Sequence, residues 1–193
     1  MTLGVLIVAA GGVLLVTSRT ALAVGAYVVL AAAASALIAP AVAASPLAVA
    51  TFSITTVMKV VVAPLVLLWF LRAQPAARTL QPSLAIPLRL LLAIGIALVG
   101  INSAIGLGIA VVAVGAGALV LHRNLIAQLI GLLALGTGVT LCGAVLAPGL
   151  PETVELGASF DALVGTFIGL ALIRAFAAHD PLLDVESLRR LRG

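Results

Sequence analysis

Long apolar runs without a charge recur along the chain and restrict the folds that it can adopt. Hydrophobic residues make up 64% of the sequence and charged residues only 8%, which is more apolar surface than a soluble domain of this size can cover. Uncharged runs of about 18 residues or more are typical of membrane-spanning helices. A β-barrel would need polar and apolar residues in alternation, and these runs do not alternate. The sequence therefore predicts an all-α, polytopic membrane protein.

Short polar breaks divide the apolar sequence into about seven predicted spans. The predicted spans are 2–18, 21–43, 47–71, 86–101, 104–121, 125–147 and 154–176. No charge separates the fourth span from the fifth, and one helix over residues 90–121 would be roughly 48 Å long at about 1.5 Å per residue. That is too long for a single crossing of a hydrocarbon core of about 30 Å. We therefore predict a helix break at residues 100–103, which read GINS.

The arginines predict the orientation of these spans, since all of them lie in the breaks after the first, third, fifth and seventh spans or at the span ends next to those breaks. They are Arg19, then Arg72, Arg78 and Arg89, then Arg123, and finally Arg174, Arg189, Arg190 and Arg192. Positively charged segments stay on the cytoplasmic side of a membrane, so the N-terminus is predicted outside and the C-terminus in the cytoplasm. The net charge of +4 is thus explained by topology rather than by nucleic-acid binding. No basic residue precedes the first apolar run, which predicts a retained span and not a cleaved signal peptide.

Lys59 is the only lysine of the chain and lies in the middle of the third predicted span. A charge at the membrane centre costs about 2.5–3.5 kcal/mol on insertion scales, and such groups usually face a bundle interior or a water path. Pro64 has no N–H for the carbonyl of Val60, which predicts a kinked helix with a polar spot beside the lysine. Thr55 and Thr56 add hydroxyls one turn earlier. Lys59 is either part of a proton path, because a buried amine can lose and regain a proton, or a structural group paired with a carboxylate.

The seventh predicted span carries an acid, Asp161, and Glu155 lies near its outer end. Gly157, Gly165 and Gly169 share a spacing of four with Asp161, so these residues form one stripe on a helix. Another backbone can approach a stripe of glycines closely, which predicts helix packing along it and an Asp161 that points into a protein interface. Asp161 and Glu155 are candidates for a proton path, and a purely structural hydrogen bond is the alternative for Asp161.

The sequence contains none of the usual signatures of an independent catalyst. A single cysteine, Cys142, excludes an internal disulfide and a cysteine-based metal cluster within the chain. We find no metal-ligand spacing, nucleotide-binding loop or catalytic triad, and the predicted loops are too short to form a soluble active site. We therefore expect no catalytic residue, no metal site and no cofactor in this chain.

Several stretches taken in order resemble one family of membrane subunits. They are ITTVMKVVVAPLVL (54–67), GINSAIGLGIAVVAVGAGALVLHRN (100–124), LIAQLIGLLALGTGVTL (125–141), ELGASFDALVGTFIGLALIRAF (155–176) and DVESLRRLRG (184–193). Together they resemble the component E family of hydrogenase-4 and formate hydrogenlyase complexes. The last three predicted spans also resemble the small K-type subunit of bacterial complex I.

The resemblance implies a division of the chain and a place in a larger complex. Residues 1–101 would form a four-helix membrane part, 102–177 a three-helix part similar to the K-type subunit, and 178–193 a cytoplasmic tail, which is either amphipathic or a loose terminus. It implies a non-catalytic subunit of a complex I-like or group 4 [NiFe]-hydrogenase-type oxidoreductase in a bacterial or archaeal cytoplasmic membrane. Such a subunit contributes to proton translocation and to assembly beside antiporter-like subunits, while partner subunits carry iron–sulfur clusters and a [NiFe] site.

The resemblance also assigns roles to single residues and exposes one departure. Lys59 matches a lysine that the family places before a proline, and Asp161 matches an acid four residues before a glycine. The glutamate that the family has in the sixth span is replaced here by Gly136, and a glycine cannot carry a proton. Three explanations remain open: water crosses the gap, a neighbouring subunit supplies the acid, or this route no longer conducts.

Other functions are compatible with the same fold, since a fold alone does not fix function. A subunit of a multi-subunit cation/proton antiporter is one alternative, and a purely structural membrane-arm subunit is another, which the glycine at position 136 favours. The number of predicted spans and the stretch around Lys59 favour the oxidoreductase subunit. A stand-alone transporter would predict internal repeats with broken helices, and the sequence shows no convincing repeat.

Overall fold

A computed structural model describes residues 2–42, 46–73, 85–101, 103–122, 124–146, 164–171 and 174–175, which are almost entirely helical. The helices are α1 (Thr2–Val16), α2 (Thr20–Val42), α3 (Pro46–Val57), α4 (Ala63–Ala73), α5 (Ile86–Ile101), α6 (Ala104–Leu121) and α7 (Leu125–Leu146), with a π-helical turn, Met58–Val62, joining α3 to α4. Residues 164–171 are also helical.

Among the described residues, four helical segments are long and apolar enough to cross a membrane. They are Thr20–Pro40, Pro46–Arg72, Ala104–Leu121 and Leu125–Leu146, while Thr2–Val16 and Ile86–Gly100 are shorter apolar helices. The first six predicted spans agree with the helices to within two residues at either end. The seventh, 154–176, lies partly outside the described residues.

The predicted break between the fourth and fifth spans is present. Helix α5 ends at Ile101 and α6 begins at Ala104, with Ser103 in an extended conformation as the N-cap residue of α6. The Ser103 hydroxyl accepts a hydrogen bond of 2.9 Å from the N–H of Gly106, which satisfies one of the backbone donors that a helix start leaves without a partner. A hydroxyl residue therefore starts a new helix within an uncharged run.

Helices α6 and α7 form a close hairpin because glycines let their backbones touch. A Cβ atom on Gly138 would lie 2.5 Å from the backbone nitrogen of Val112, and one on Gly131 would lie 2.9 Å from the carbonyl oxygen of Gly115. Real Cβ atoms do not approach backbone atoms this closely, so side chains are excluded at these positions. This packing holds α7 in a fixed rotation against the rest of the bundle.

Two apolar clusters fill the interior at different depths. One gathers buried residues from the end of α1, the start of α2, α4, the end of α6 and the start of α7, with Tyr27 and Ile130 among them. The other lies toward the opposite ends of α2, α6 and α7 and includes Ile38 and Leu141. Leu170 of the helical stretch 164–171 belongs to the first cluster, so that stretch packs on the bundle.

A buried arginine ties the end of α1 to the start of α5. Arg89, which the sequence groups with the arginines that follow the third span, lies within the first turn of α5 and is only 3% exposed. Its Nη1 donates a hydrogen bond of 2.9 Å to the carbonyl of Val16, the last residue of α1. A cation there is stabilised by the carbonyls that a helix leaves without partners at its C-terminus. The contact brings the α1–α2 turn, with Arg19, and the start of α5 to one end of the bundle.

Candidate functional site around Lys59

Lys59 lies at the centre of the longest apolar helical segment that the structure describes. The segment runs from Pro46 to Arg72, and Lys59 is equally distant in sequence from both ends, about 20 Å from each at the usual helical rise. The segment contains no other charge before Arg72. If it spans a membrane, Lys59 lies at the depth where a charge is most costly.

A π-helical turn surrounds the lysine. The N–H of Ala63 donates to the carbonyl of Met58, five residues earlier, whereas an α-helix would direct it to the carbonyl of Lys59. Pro64 follows and has no N–H to give to Val60. The sequence predicted a kinked helix at Pro64. The structure has a π-helical turn just before Pro64, and such a widened turn frequently marks functional sites in helices. The helix continues beyond Pro64 as α4.

The amine of Lys59 reaches across to α7. Its Nζ donates a hydrogen bond of 2.9 Å to Oγ1 of Thr140, and Thr140 Oγ1 in turn donates one of 3.0 Å to the carbonyl of Gly136. A threonine hydroxyl can accept and donate at once, so Thr140 links the lysine to the backbone at the centre of α7. These two bonds fix the position of the Lys59 amine against α7.

Hydroxyl groups from three helices surround this contact. Ser35 comes from α2, Thr55 and Thr56 come from α3, and Thr137 comes from α7 beside Thr140. The Thr137 hydroxyl donates to the carbonyl of Leu133 at 3.0 Å. The site is therefore polar on several sides, while Ala34, Ile38 and Phe52 close it with apolar atoms.

Gly136 lies one turn from Thr140, at the middle of α7, and its surface is open. A Cβ atom on Gly136 would meet no atom within 4 Å. The position where the resembling family has a glutamate is therefore two hydrogen bonds away from the Lys59 amine, through Thr140. A larger side chain at position 136, or a group from another molecule, therefore fits beside Gly136 without displacing the described residues.

The other predicted site residues lie apart from Lys59 or outside the described residues. Asp161, Glu155 and Gly157 lie outside, so their predicted roles are untested. A Cβ on Gly169 would lie 3.2 Å from the side chain of Leu129 in α7, whereas one on Gly165 would meet nothing within 4 Å. In the described part of the chain no group of three metal-ligating side chains is present.

A second polar cluster, at the end of the bundle that carries Arg19 and Arg89, was not predicted. His122, at the end of α6, is 2% exposed, and neither ring nitrogen makes a hydrogen bond of good geometry. Burial lowers the pKa of His122, the nearby carbonyl of Leu14 raises it in part, and the positive charge of Arg89 lowers it further. Histidine and arginine thus both approach the C-terminal carbonyls of α1, which indicates a structural role.

Sequence reasoning identified Lys59 and the neighbouring threonines of α3 but missed Thr140 and Ser35. A hydroxyl residue within an apolar helix was the available signal, since Thr137 and Thr140 are the polar residues that follow Gly136 in α7. This signal alone did not indicate a site, because the threonine hydroxyl in a membrane span also bonds to a carbonyl of its own helix.

No protein-family model, no curated protein and no solved structure matches this chain. The fold and the site define a class: a helical protein with several helices able to cross a membrane and a lysine, at the middle of the longest such segment described, that donates to a threonine hydroxyl.

Proposed function

We propose that the chain is a non-catalytic membrane subunit of a complex I-like or group 4 [NiFe]-hydrogenase-type oxidoreductase, in which Lys59 takes part in proton translocation. The observation that carries the proposal is the hydrogen bond from Lys59 to Thr140, at the middle of a helix able to span a membrane. A lysine that served insertion or solubility would lie near a helix end, where its amine can reach water. The family resemblance of the stretches around Lys59 and in α6 and α7 supports the same function.

The proposal includes about seven spans with the N-terminus outside, in the cytoplasmic membrane of a bacterium or archaeon. The bond from Arg89 to the end of α1 supports it, because it brings to one end of the bundle two segments that follow odd-numbered spans. The proximity of Arg89 to His122 adds the turn between α6 and α7 to that end. Partner subunits in this proposal hold the iron–sulfur clusters and the [NiFe] site, and antiporter-like subunits lie beside this chain.

The test is to replace Lys59 by methionine or by arginine in the assembled complex. Methionine keeps the length of the side chain but carries no proton, so we expect proton translocation to fall at least about tenfold while the complex still assembles. Arginine keeps a charge that is never released in proteins, so the same loss is expected. Translocation at the parental level in assembled complexes of both variants would contradict the proposal.

The glycine at position 136, where the resembling family has a glutamate, favours one competing function, that of a structural subunit without a proton path. In that case Lys59→Met changes assembly and leaves translocation per assembled complex unchanged. The proteins that copurify decide between the oxidoreductase and the antiporter: iron–sulfur and [NiFe] subunits support the former, and antiporter subunits without iron–sulfur proteins support the latter.

A further inference from the structure

A small cavity lies between α2, α3 and α7, next to the Lys59 amine. Its volume is about 10 Å³, by the measure in which a single water molecule needs about 10–15 Å³. It is lined by Lys59 and by the hydroxyl residues Ser35, Thr55, Thr56 and Thr140, among others. The cavity thus has about the size of one water, and polar groups that a buried water could bind line part of it.

Two of the lining hydroxyls have no hydrogen-bond partner although they are buried. They are Oγ1 of Thr55, whose residue is 3% exposed, and Oγ1 of Thr56. Leaving a buried hydroxyl without a partner is costly, and such groups in proteins usually bind an ordered water. Both therefore indicate a ligand that can accept or donate hydrogen bonds.

Hydroxyls earlier in the same helix behave differently. Thr51 Oγ1 donates to the carbonyls of Leu47 and Ala48 at 3.0 Å each, and Ser53 donates to Val49 at 2.6 Å. This bonding to the preceding turn is the usual solution for hydroxyl residues inside membrane helices. Thr55 and Thr56 do not use it, so their hydroxyls are available to the cavity.

We propose that one water molecule is bound in this cavity by Thr55, Thr56 and Lys59 and that it exchanges the proton with the lysine. The proton-transfer part of this inference rests on the proposed function. The water site does not depend on that function. In the transfer, an N–H bond of the ammonium breaks and the water oxygen takes that proton. The water passes one of its own protons to a further water or a carboxylate, which leaves a neutral amine and a neutral water. Thr55 and Thr56 are positioning residues that hold this water in place.

The experiment compares Thr55→Val/Thr56→Val with Thr51→Val in the assembled complex. Valine has nearly the shape of threonine but lacks the hydroxyl, and the Thr51 hydroxyl is already bonded within its own helix. We expect the double variant to translocate protons at least about tenfold more slowly and to lose an O–H infrared band that shifts in H₂¹⁸O. We expect Thr51→Val to keep the parental translocation rate and the infrared band. A double variant that equals Thr51→Val in rate and band overturns the proposal.

A high-resolution electron cryomicroscopy map of the parental complex decides the water site without an activity assay. Density for a water between Lys59 and Thr55 supports the proposal, and an empty cavity overturns it. This test remains available if the double variant fails to assemble. Failure of the proposed function is a different result, since Lys59→Met would then leave translocation unchanged. If Lys59→Met abolishes translocation and the double threonine variant does not, only the water proposal is wrong.

Discussion

Arg89, which is buried, and Lys59, which is partly buried, show how the position of a cation along a helix decides its role. Arg89 lies near a helix start and donates to the carbonyl of Val16, where the helix terminus supplies negative potential. Lys59 lies at a helix middle, where no helix terminus is near, and it donates to the hydroxyl of Thr140. A guanidinium keeps its charge in proteins whatever group it binds, whereas a lysine amine removed from water can lose and regain a proton. Of these two cations, Lys59 is therefore the one suited to proton exchange.

His122 gives a prediction for the pH dependence of stability. Its pKa is lowered in the folded chain, so below about pH 6.5, the ordinary value for histidine, the unfolded chain binds more protons than the folded chain. The stability is undiminished above that pH and falls as the pH drops below it, by at most about 1.4 kcal/mol per pH unit for one group. Thermal unfolding in detergent at pH 7.5 and pH 5.5 should show a drop in Tm.

The control for this prediction is His122→Gln, which keeps a polar side chain but does not titrate. We expect its Tm to change less between the two pH values than the Tm of the parental chain. Arg89 is the charged group that faces His122, and the described residues include no Asp or Glu to offset a second positive charge. An equal drop in both proteins would show that other groups cause the pH dependence.

Gly136→Glu tests whether the open surface on α7 lies within reach of the lysine. A carboxylate at mid-membrane is costly alone, but here it would lie one helical turn from Thr140, which holds the Lys59 amine. We expect Gly136→Glu to assemble at close to the parental level, and the same change combined with Lys59→Met to reduce assembly several-fold, because the acid then lacks its cation. Assembly yields from membranes measure both. Equal yields with and without the lysine would show that the two positions do not interact.

The helices could be predicted from the sequence, but their contacts could not. Uncharged runs bounded by arginines or by a hydroxyl residue such as Ser103 fix where a helix begins and ends, because the membrane sets the length of each apolar run. The same runs are apolar on every side, so no periodic pattern says which face is buried. The contact between Lys59 and Thr140 depends on the rotation of α7, which the sequence does not reveal. The spacing of seven between Gly131 and Gly138 was the one visible sign of that rotation.

Gly138→Ala tests the glycine contact that fixes α7 against α6. The new Cβ would lie 2.5 Å from the backbone nitrogen of Val112, and a backbone atom cannot move aside as a side chain does. We expect a loss of about 1–3 kcal/mol of stability, as for other overpacked sites, measured as a lower Tm in detergent. Gly25→Ala is the matched control, since a Cβ there meets nothing within 4 Å and alanine favours a helix over glycine. A Tm for Gly138→Ala as high as for Gly25→Ala would contradict this packing.

At the scale of the whole molecule, the proposed proton path places Lys59 between the aqueous phases on the two sides of the membrane. The direction of that path depends on which end of the bundle faces which side. The described structure brings the turn after α1 and the start of α5 to one end through Arg89. The break between α5 and α6 lies at the far end of α5, about 24 Å away for a helix of this length. The two ends should therefore face opposite sides of the membrane.

Single cysteines introduced in a Cys142→Ala background can measure this sidedness. Ser18 lies in the turn after α1 and Ala104 begins α6, and both are exposed. With the arginine-bearing end in the cytoplasm, a membrane-impermeant maleimide should label Ala104→Cys in intact cells and Ser18→Cys only after permeabilisation. The reverse pattern would invert the orientation, and labelling of both from one side would contradict the assignment of α5 as a span. An inverted bundle would leave Lys59 at the same depth, so it would reverse the direction of any proton path without removing the path.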